Sequence, residues 1–349
     1  MDKLNVAVIF GGFSSEYSVS LHSACGVIEG MDREKFTTVL VGISSHGSWY
    51  HYTGDTAKIA ADKWQTSEFC TPAVLSPNRD RHCLLRIEDG GVEEIHIDAA
   101  FPVLHGRNGE DGTVQGLIEL AGIPLVGCGT LSSALCMDKD RAHKLVELAG
   151  IRVPRAYTLS PDYSSGNAIA AAEKIGYPLF VKPVKAGSSY GVSKVSGGEE
   201  LVAAIEAAFS YDNEVIVEEA IPGFEVGCAV MGDEPITGEI DEIELQNGFF
   251  DYTEKYNLVT SKIHVPARIS AQKSEELKAA AKTIYKALGC KGFARVDMFL
   301  TPAGDIVFNE VNTIPGFTSH SRFPGMMRAA GYSMEEIITS LIETAVRGE

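Results

Sequence analysis

The chain opens on an apolar run, Leu4 to Phe10, that stops at Gly11 and Gly12, and the segment after it, Ser14 to Met31, repeats its apolar residues at helical spacing. That succession predicts a buried strand of parallel type, a glycine turn and a helix. A second strand over Thr37 to Ile43, a hairpin-like stretch at Gly47 to Tyr52, a buried strand around Ala99 to Val103 and a last strand through Ile123 to Val126 complete an N-terminal α/β layer.

Beyond Gly129 the segment SSALCMDKDRAHKLVELAGI has the spacing of one helix, and PLFVKPVKAGSSYGVSKV alternates as strand, glycine-rich loop and strand. A helix from Gly198 to Ser210 and the strand EVIVEEA close this second unit. The third predicts strands at Glu225 to Met231 and Pro235 to Leu245, a polar, aromatic-rich loop from Gln246 to Pro266, a helix from Ala271 to Leu288 and the strand pair ARVDMFL and DIVFNEVNT. No repeat or low-complexity tract separates the units, so ligands are expected at packed domain interfaces.

The 349 residues are 45% hydrophobic, enough for two or three domains with a substantial core. The formal charge of -17 argues against nucleic acid as a partner, since phosphate-backbone binding needs a basic footprint. A nucleotide could still bind where a few lysines and a divalent cation gather locally. The N-terminus lacks the length of a signal sequence and no segment approaches a membrane span, so the expected location is cytoplasmic. The seven scattered cysteines form no CxxC pair and are expected to be reduced thiols.

The strongest chemical signal is RVDMFL followed by FNEVNT. Charged residues interrupting apolar strands are costly unless paired or metal-bound. Alternation puts Arg295 and Asp297 on one face of the first strand, and Glu310 and Asn312 on one face of the second. Two carboxylates and an amide oxygen suit a magnesium ion that carries phosphate oxygens; a buried ion pair between Arg295 and one acid is the alternative.

In FVKPVKAGSSYG, Lys182 ends a strand and Gly187, Ser188 and Ser189 form a loop whose amides can cradle phosphate, or simply a hairpin turn. Glu16 in GGFSSE follows a strand and glycine turn, either as a ligand-binding carboxylate or as a helix cap. LHGRNGEDGTVQG places His105, Glu110 and Asp111 in a loop directly after an apolar strand. There is no G-x-G-x-x-G for a dinucleotide and no HxxxH spacing for zinc.

Taken in order, GGFSSE, HGRNGEDG, MDK, VKP..GSSYG, EEAIPGFE, EKY, ARVD and FNEVNTIPGFTSHS closely resemble the D-alanine:D-alanine ligase family through essentially the whole chain. The resemblance implies an ATP-grasp fold of α/β (α+β) class with a doubly wound N-terminal domain at 1–127, a central domain at 128–220 and a C-terminal catalytic domain at 221–349. It implies an enzyme acting on D-amino acids and ATP, with two magnesium ions, replaceable by manganese, on Asp297, Glu310 and Asn312, and a homodimer formed through the N-terminal domain.

By the same resemblance Lys139 and Lys182 contact the ATP phosphates beneath the Ser188–Ser189 loop, with Asn309 also on the nucleotide. Glu218, Glu219 and Ile221 line the adenine and hinge region, Glu219 standing where the family usually has lysine, and Glu225 holds the ribose. Glu16 binds the first D-alanine's ammonium, Lys255 meets the transferred phosphoryl group, and Arg295 with the Gly316 amide stabilises the tetrahedral oxyanion. Ser321 holds the second substrate's carboxylate, His105 lies at the substrate site, and Glu16, Ser188 and Tyr256 tie three domains together.

Phe250 in the EKYN loop and Arg322 after Ser321 resemble the D-alanine:D-serine ligases of vancomycin resistance. The implied second substrate is D-serine, its hydroxyl meeting Arg322; the alternatives are a housekeeping D-alanine:D-alanine ligase with a structural Arg322, and a non-catalytic nucleotide or amino-acid sensor.

Overall fold

The computed structural model describes residues 3–66, 68–187, 190–245 and 261–348. Three sheets carry the architecture. In the first, the strands Phe36–Ile43, Leu4–Gly11 and Ala99–Pro102 run parallel, as their continuous apolar runs predict. Helix Tyr17–Glu29 places Leu21, Ala24 and Val27 in the core with Val6, Val8 and Phe10. Helix Thr113–Leu120 places Val114 and Ile118 in the core with Ala7 and Ile9 on the opposite face. The strand Trp49–Tyr52 returns antiparallel on Phe36–Ile43, which makes the expected hairpin.

The sheet is larger than the pattern predicts. Strands Cys70–Leu75, Cys83–Glu88 and Gly91–His96 extend it antiparallel to seven strands. The last strand expected there, Ile123 to Val126, is reduced to a single bridge from Leu125 to Ala100. The single helix expected beyond Gly129 is two, Thr130–Met137 and Lys139–Leu148. Asp138 breaks it: its backbone is extended and its carboxylate accepts from Arg141 N, capping the second helix.

The second sheet orders Ser193–Val195, Leu179–Pro183, Val215–Glu219 and Ala156–Leu159, all antiparallel, under helices Ser165–Ile175 and Gly198–Phe209. The third orders Ser261–His264, Asp241–Leu245, Phe224–Met231, Phe293–Leu300 and Ile306–Asn312, backed by helix Ala271–Ala287. The strand expected at Pro235 to Leu245 is split, with Ile236–Thr237 pairing separately on Phe224–Met231. Ser261–His264, within the segment expected to be loop, forms the sheet's edge.

Arg322 begins a helix, Arg322–Ala329, with Ser321 at its N-cap position. The final helix, Met334–Arg347, is fixed at its start by reciprocal hydrogen bonds between Ser333 and Glu336. It buries Ile337, Ile338, Leu341 and Ile342 in the same core as Val6, Phe10 and Phe101 of the first sheet. Among the described residues no helix is long and apolar enough to cross a membrane.

Candidate active site

Strands Phe293–Leu300 and Ile306–Asn312 pair with Arg295 opposite Asn312 and Asp297 opposite Glu310, so the four polar residues share one face. The other face presents Ala294, Val296, Met298, Phe308 and Val311 to the core. Phe308 and Glu310 could not face opposite ways on a regular strand. A bulge resolves this: Met298 pairs with Phe308, and Asn309 is the extra residue. Asn309, expected on the nucleotide, uses its carbonyl to accept from His143 Nε2 at 3.0 Å.

Arg295 grips Asp297 in a bidentate pair, Nε to Oδ1 at 2.8 Å and Nη2 to Oδ2 at 2.7 Å. Asn312 Nδ2 donates to Asp297 Oδ2 at 2.9 Å, and Arg322 Nη2 lies 3.3 Å from Oδ1. Asp297 is 1% exposed, so these donors are what keep its charge inside the protein. Glu310 stands beside it, 3.9 Å from Lys139 Nζ. The ion pair left open as an alternative is thus present. The donor set still fits a hard cation: a carboxylate oxygen accepts more than one partner, and a flip of the Asn312 amide presents oxygen in place of nitrogen.

A cavity of about 720 Å³ opens in front of these strands. It receives Glu16 and His105 from the first sheet's loops, Lys139 from the start of its helix, and Arg295, Gly316, Ser321 and Arg322 from the C-terminal part. Glu16 lies so close to Gly106 and Gly187 that a Cβ at either would stand 2.4 Å and 2.9 Å from its Oε2. The N-terminal acid therefore touches the loop of the second sheet at the residue before Ser188. Ser321 Oγ receives Thr318 N at 3.0 Å, and the Gly316 amide makes no protein hydrogen bond among the described residues.

His105 hydrogen-bonds Ser23 Oγ through Nε2 at 3.0 Å, and burial lowers its pKa, so the ring is neutral near pH 7. Glu110, quoted in the loop motif but given no role, lines the same cavity. It accepts from Gly106 N at 2.8 Å and from Ile314 N at 3.3 Å, joining the first sheet's loop to the C-terminal part. Burial, with Glu16 beside it, raises its pKa to about 8.

In the second sheet, Lys182 is ion-paired with Glu218, and both are largely buried. Glu218 Oε2 is buried without a hydrogen-bond partner among the described residues, a vacancy that a donor such as an exocyclic amino group of a base would fill. Lys139 Nζ donates to Ala186 O at 2.8 Å, which brings it beneath the Gly187 loop.

Three residues have partners other than those expected. Glu219 turns its side chain to Arg155 at 2.7 Å and Arg152 at 3.7 Å. Glu225, expected at the ribose, accepts from Arg322 Nη1 at 2.9 Å. Arg322 itself is clamped by Asp241, Nε to Oδ2 at 2.7 Å and Nη2 to Oδ1 at 2.8 Å. Nothing in the local sequence pairs Asp241 with a residue 81 positions away. Ile221 is half-buried in the link between the second and third sheets. Ser188, Ser189, Phe250, Lys255 and Tyr256 lie outside the described residues.

Known proteins resemble this chain in sequence and fold. The D-ala D-ala ligase N-terminus pattern matches residues 5–128 and the D-ala D-ala ligase C-terminus pattern residues 145–343. The crystal structure of VanG D-Ala:D-Ser ligase from Enterococcus faecalis superimposes with a TM-score of 0.90 and 57% identity, covering 99% of this chain and 100% of that one. The vancomycin B-type resistance protein VanB of Enterococcus faecalis is 45% identical over 352 residues, 99% of each chain. A D-alanine–D-alanine ligase from Caldicellulosiruptor bescii is 44% identical over 355 residues, 99% of this chain and 96% of its own. The three sheets therefore compose the expected ATP-grasp architecture.

Proposed function

Because the chain belongs to the D-alanine:D-alanine ligase family, we propose that it uses ATP to join D-alanine to D-serine through a D-alanyl phosphate. The observation that carries this is the single cavity in which Glu16, Arg295, Gly316 and Ser321 face the Asp297–Glu310 strand pair beside Lys139. A sensor would need none of the Arg295, Gly316 and Ser321 constellation.

ATP lies between the second and third sheets, with Lys139 and Lys182 on its phosphates, the Ser188–Ser189 loop above them and the base amino group on Glu218 Oε2. Asp297, Glu310 and the oxygen of Asn312 hold magnesium, which supplies positive charge to the phosphate oxygens. Glu16 takes the D-alanine ammonium. A carboxylate oxygen of D-alanine attacks the γ-phosphorus, and the bond to the ADP oxygen breaks. The D-serine nitrogen then attacks the acyl carbon, and the oxyanion accepts from Arg295 and the Gly316 amide. Collapse breaks the bond to phosphate, and the amine loses a proton.

Ser321 holds the D-serine carboxylate, with Phe250 and Arg322 beside it. Closure by Lys255 and Tyr256 shields the acyl phosphate from water. The D-serine choice is supported by the 57% identity to a D-Ala:D-Ser ligase over nearly the whole chain. The clamp on Arg322 favours a second reading, D-alanyl-D-alanine synthesis, in which that arginine only supports Asp297. With D-serine as substrate the product would enter the modified cell-wall precursors of vancomycin resistance, in the cytoplasm and from a homodimer.

Isotope transfer tests the acyl phosphate. D-alanine labelled with 18O in its carboxylate yields phosphate carrying one 18O when D-serine is present. Unlabelled phosphate released along with dipeptide would exclude the intermediate.

A further inference from the structure

A second cavity, of about 340 Å³, lies on the other side of the His105 loop, at the carboxyl ends of the parallel strands Leu4–Gly11, Phe36–Ile43 and Ala99–Pro102. Helices leave the first and last of these strands toward opposite faces of the sheet, which is where open α/β sheets form ligand crevices. The His105 loop divides that crevice, and His105 lines both halves. One half is the active-site cavity; nothing in the proposed reaction uses the other.

Its walls are apolar: Phe13, Ile43, Trp49, Leu104, Val114 and Leu117. Phe13 is 60% exposed at its rim. The charged side chain on the lining is Arg107, and among the described residues no acid lines it although acids outnumber bases 47 to 30 in the chain. Arg107 has no hydrogen-bond or ion-pair partner among the described residues. The volume, the apolar body and the unpaired guanidinium describe one kind of occupant. We propose that this cavity binds a small monocarboxylate with an aromatic or branched aliphatic body, its carboxylate on Arg107.

The cavity is wired to the first-substrate site. Ser14, next to Phe13, donates through Oγ to His105 O at 2.7 Å and accepts from Glu16 N at 3.1 Å. A ligand packed between Phe13 and the His105 loop bears on both bonds, and so on the carboxylate proposed to hold the D-alanine ammonium. This coupling rests on the ligase reading; the binding itself does not.

The test uses 3-phenylpropanoate and its neutral amide as probes, with dissociation constants from ligand-observed NMR and D-alanine KM from phosphate release. The acid binds saturably without being displaced by D-alanine. Arg107→Gln weakens it about fivefold and leaves the amide unaffected. D-alanine KM shifts about fivefold with the acid bound, and Ser14→Ala removes the shift while keeping the probe. Complete, competitive displacement by D-alanine, equal loss of acid and amide, or no saturable binding to the wild-type protein would overturn the site, whereas a change of about fivefold in the acid's affinity is the reciprocal of the KM shift. Binding with an unchanged KM would overturn the coupling alone, and phosphate release with no probe present tests the ligase reading separately.

Discussion

Arg322 and Asp241 are locked to each other by two parallel hydrogen bonds, 2.7 and 2.8 Å, with Asp241 fully buried and its Oδ1 also receiving Gly227 N at 2.7 Å. Removing the arginine leaves that carboxylate charged and short of donors. Arg322→Leu is therefore expected to cost about 3 kcal/mol of folding stability, measured by urea unfolding. Adding Asp241→Asn should restore a good part of it. A loss below about 1 kcal/mol would mean that the clamp is not structural, and that altered products in this variant report specificity alone.

Arg295 binds Asp297 in a fork that lysine cannot copy. Arg295→Lys is expected to lower kcat about 100-fold or more, with a much smaller change in the KM for ATP. Steady-state phosphate release checks this; retention of kcat within about threefold would remove the guanidinium from the oxyanion step.

The pKa of Glu110 is raised to about 8, so the folded state holds its proton more tightly than the unfolded chain does. The stability this contributes is complete below the ordinary carboxyl range near 4.5 and is lost as pH rises through about 8. The wild-type Tm should thus fall relative to that of Glu110→Gln between about pH 5 and about pH 9. Parallel Tm curves would show an unshifted carboxyl.

Helix Tyr17–Glu29 approaches the C-terminal part so closely that a Cβ on Gly26 would lie 2.2 Å from the Phe317 carbonyl oxygen. Alanine improves helix propensity by about 1 kcal/mol, yet the backbone clash outweighs it. Gly26→Ala is expected to destabilise by about 2 kcal/mol in chemical denaturation, and a stabilised variant would contradict the packing.

Much of the site was legible because strand alternation is local: Arg295 and Asp297, and then Glu310 and Asn312, could be put on common faces from spacing alone. The bulge at Asn309 was not, since an extra residue leaves no compositional trace, and it is what lets Phe308 and Glu310 face apart. Asp138 likewise breaks a segment whose apolar spacing runs on unbroken. Strands Cys83–Glu88 and Gly91–His96 were missed because their outer ends are exposed and lack alternation. The Asp89–Gly90 pair between them was the readable turn signal. The Arg322 clamp depends on Asp241, Glu225 and Asp297, brought together only by the third sheet, so sequence could suggest a free guanidinium where the fold supplies three carboxylates.

The most direct measurement is product partition: wild-type protein with ATP, magnesium and equal concentrations of D-alanine and D-serine, the dipeptides resolved by mass spectrometry. The account predicts D-alanyl-D-serine in excess. A predominance of D-alanyl-D-alanine would contradict the D-serine assignment while leaving the ligase chemistry intact, and the absence of both dipeptides and of released phosphate would contradict the ligase itself.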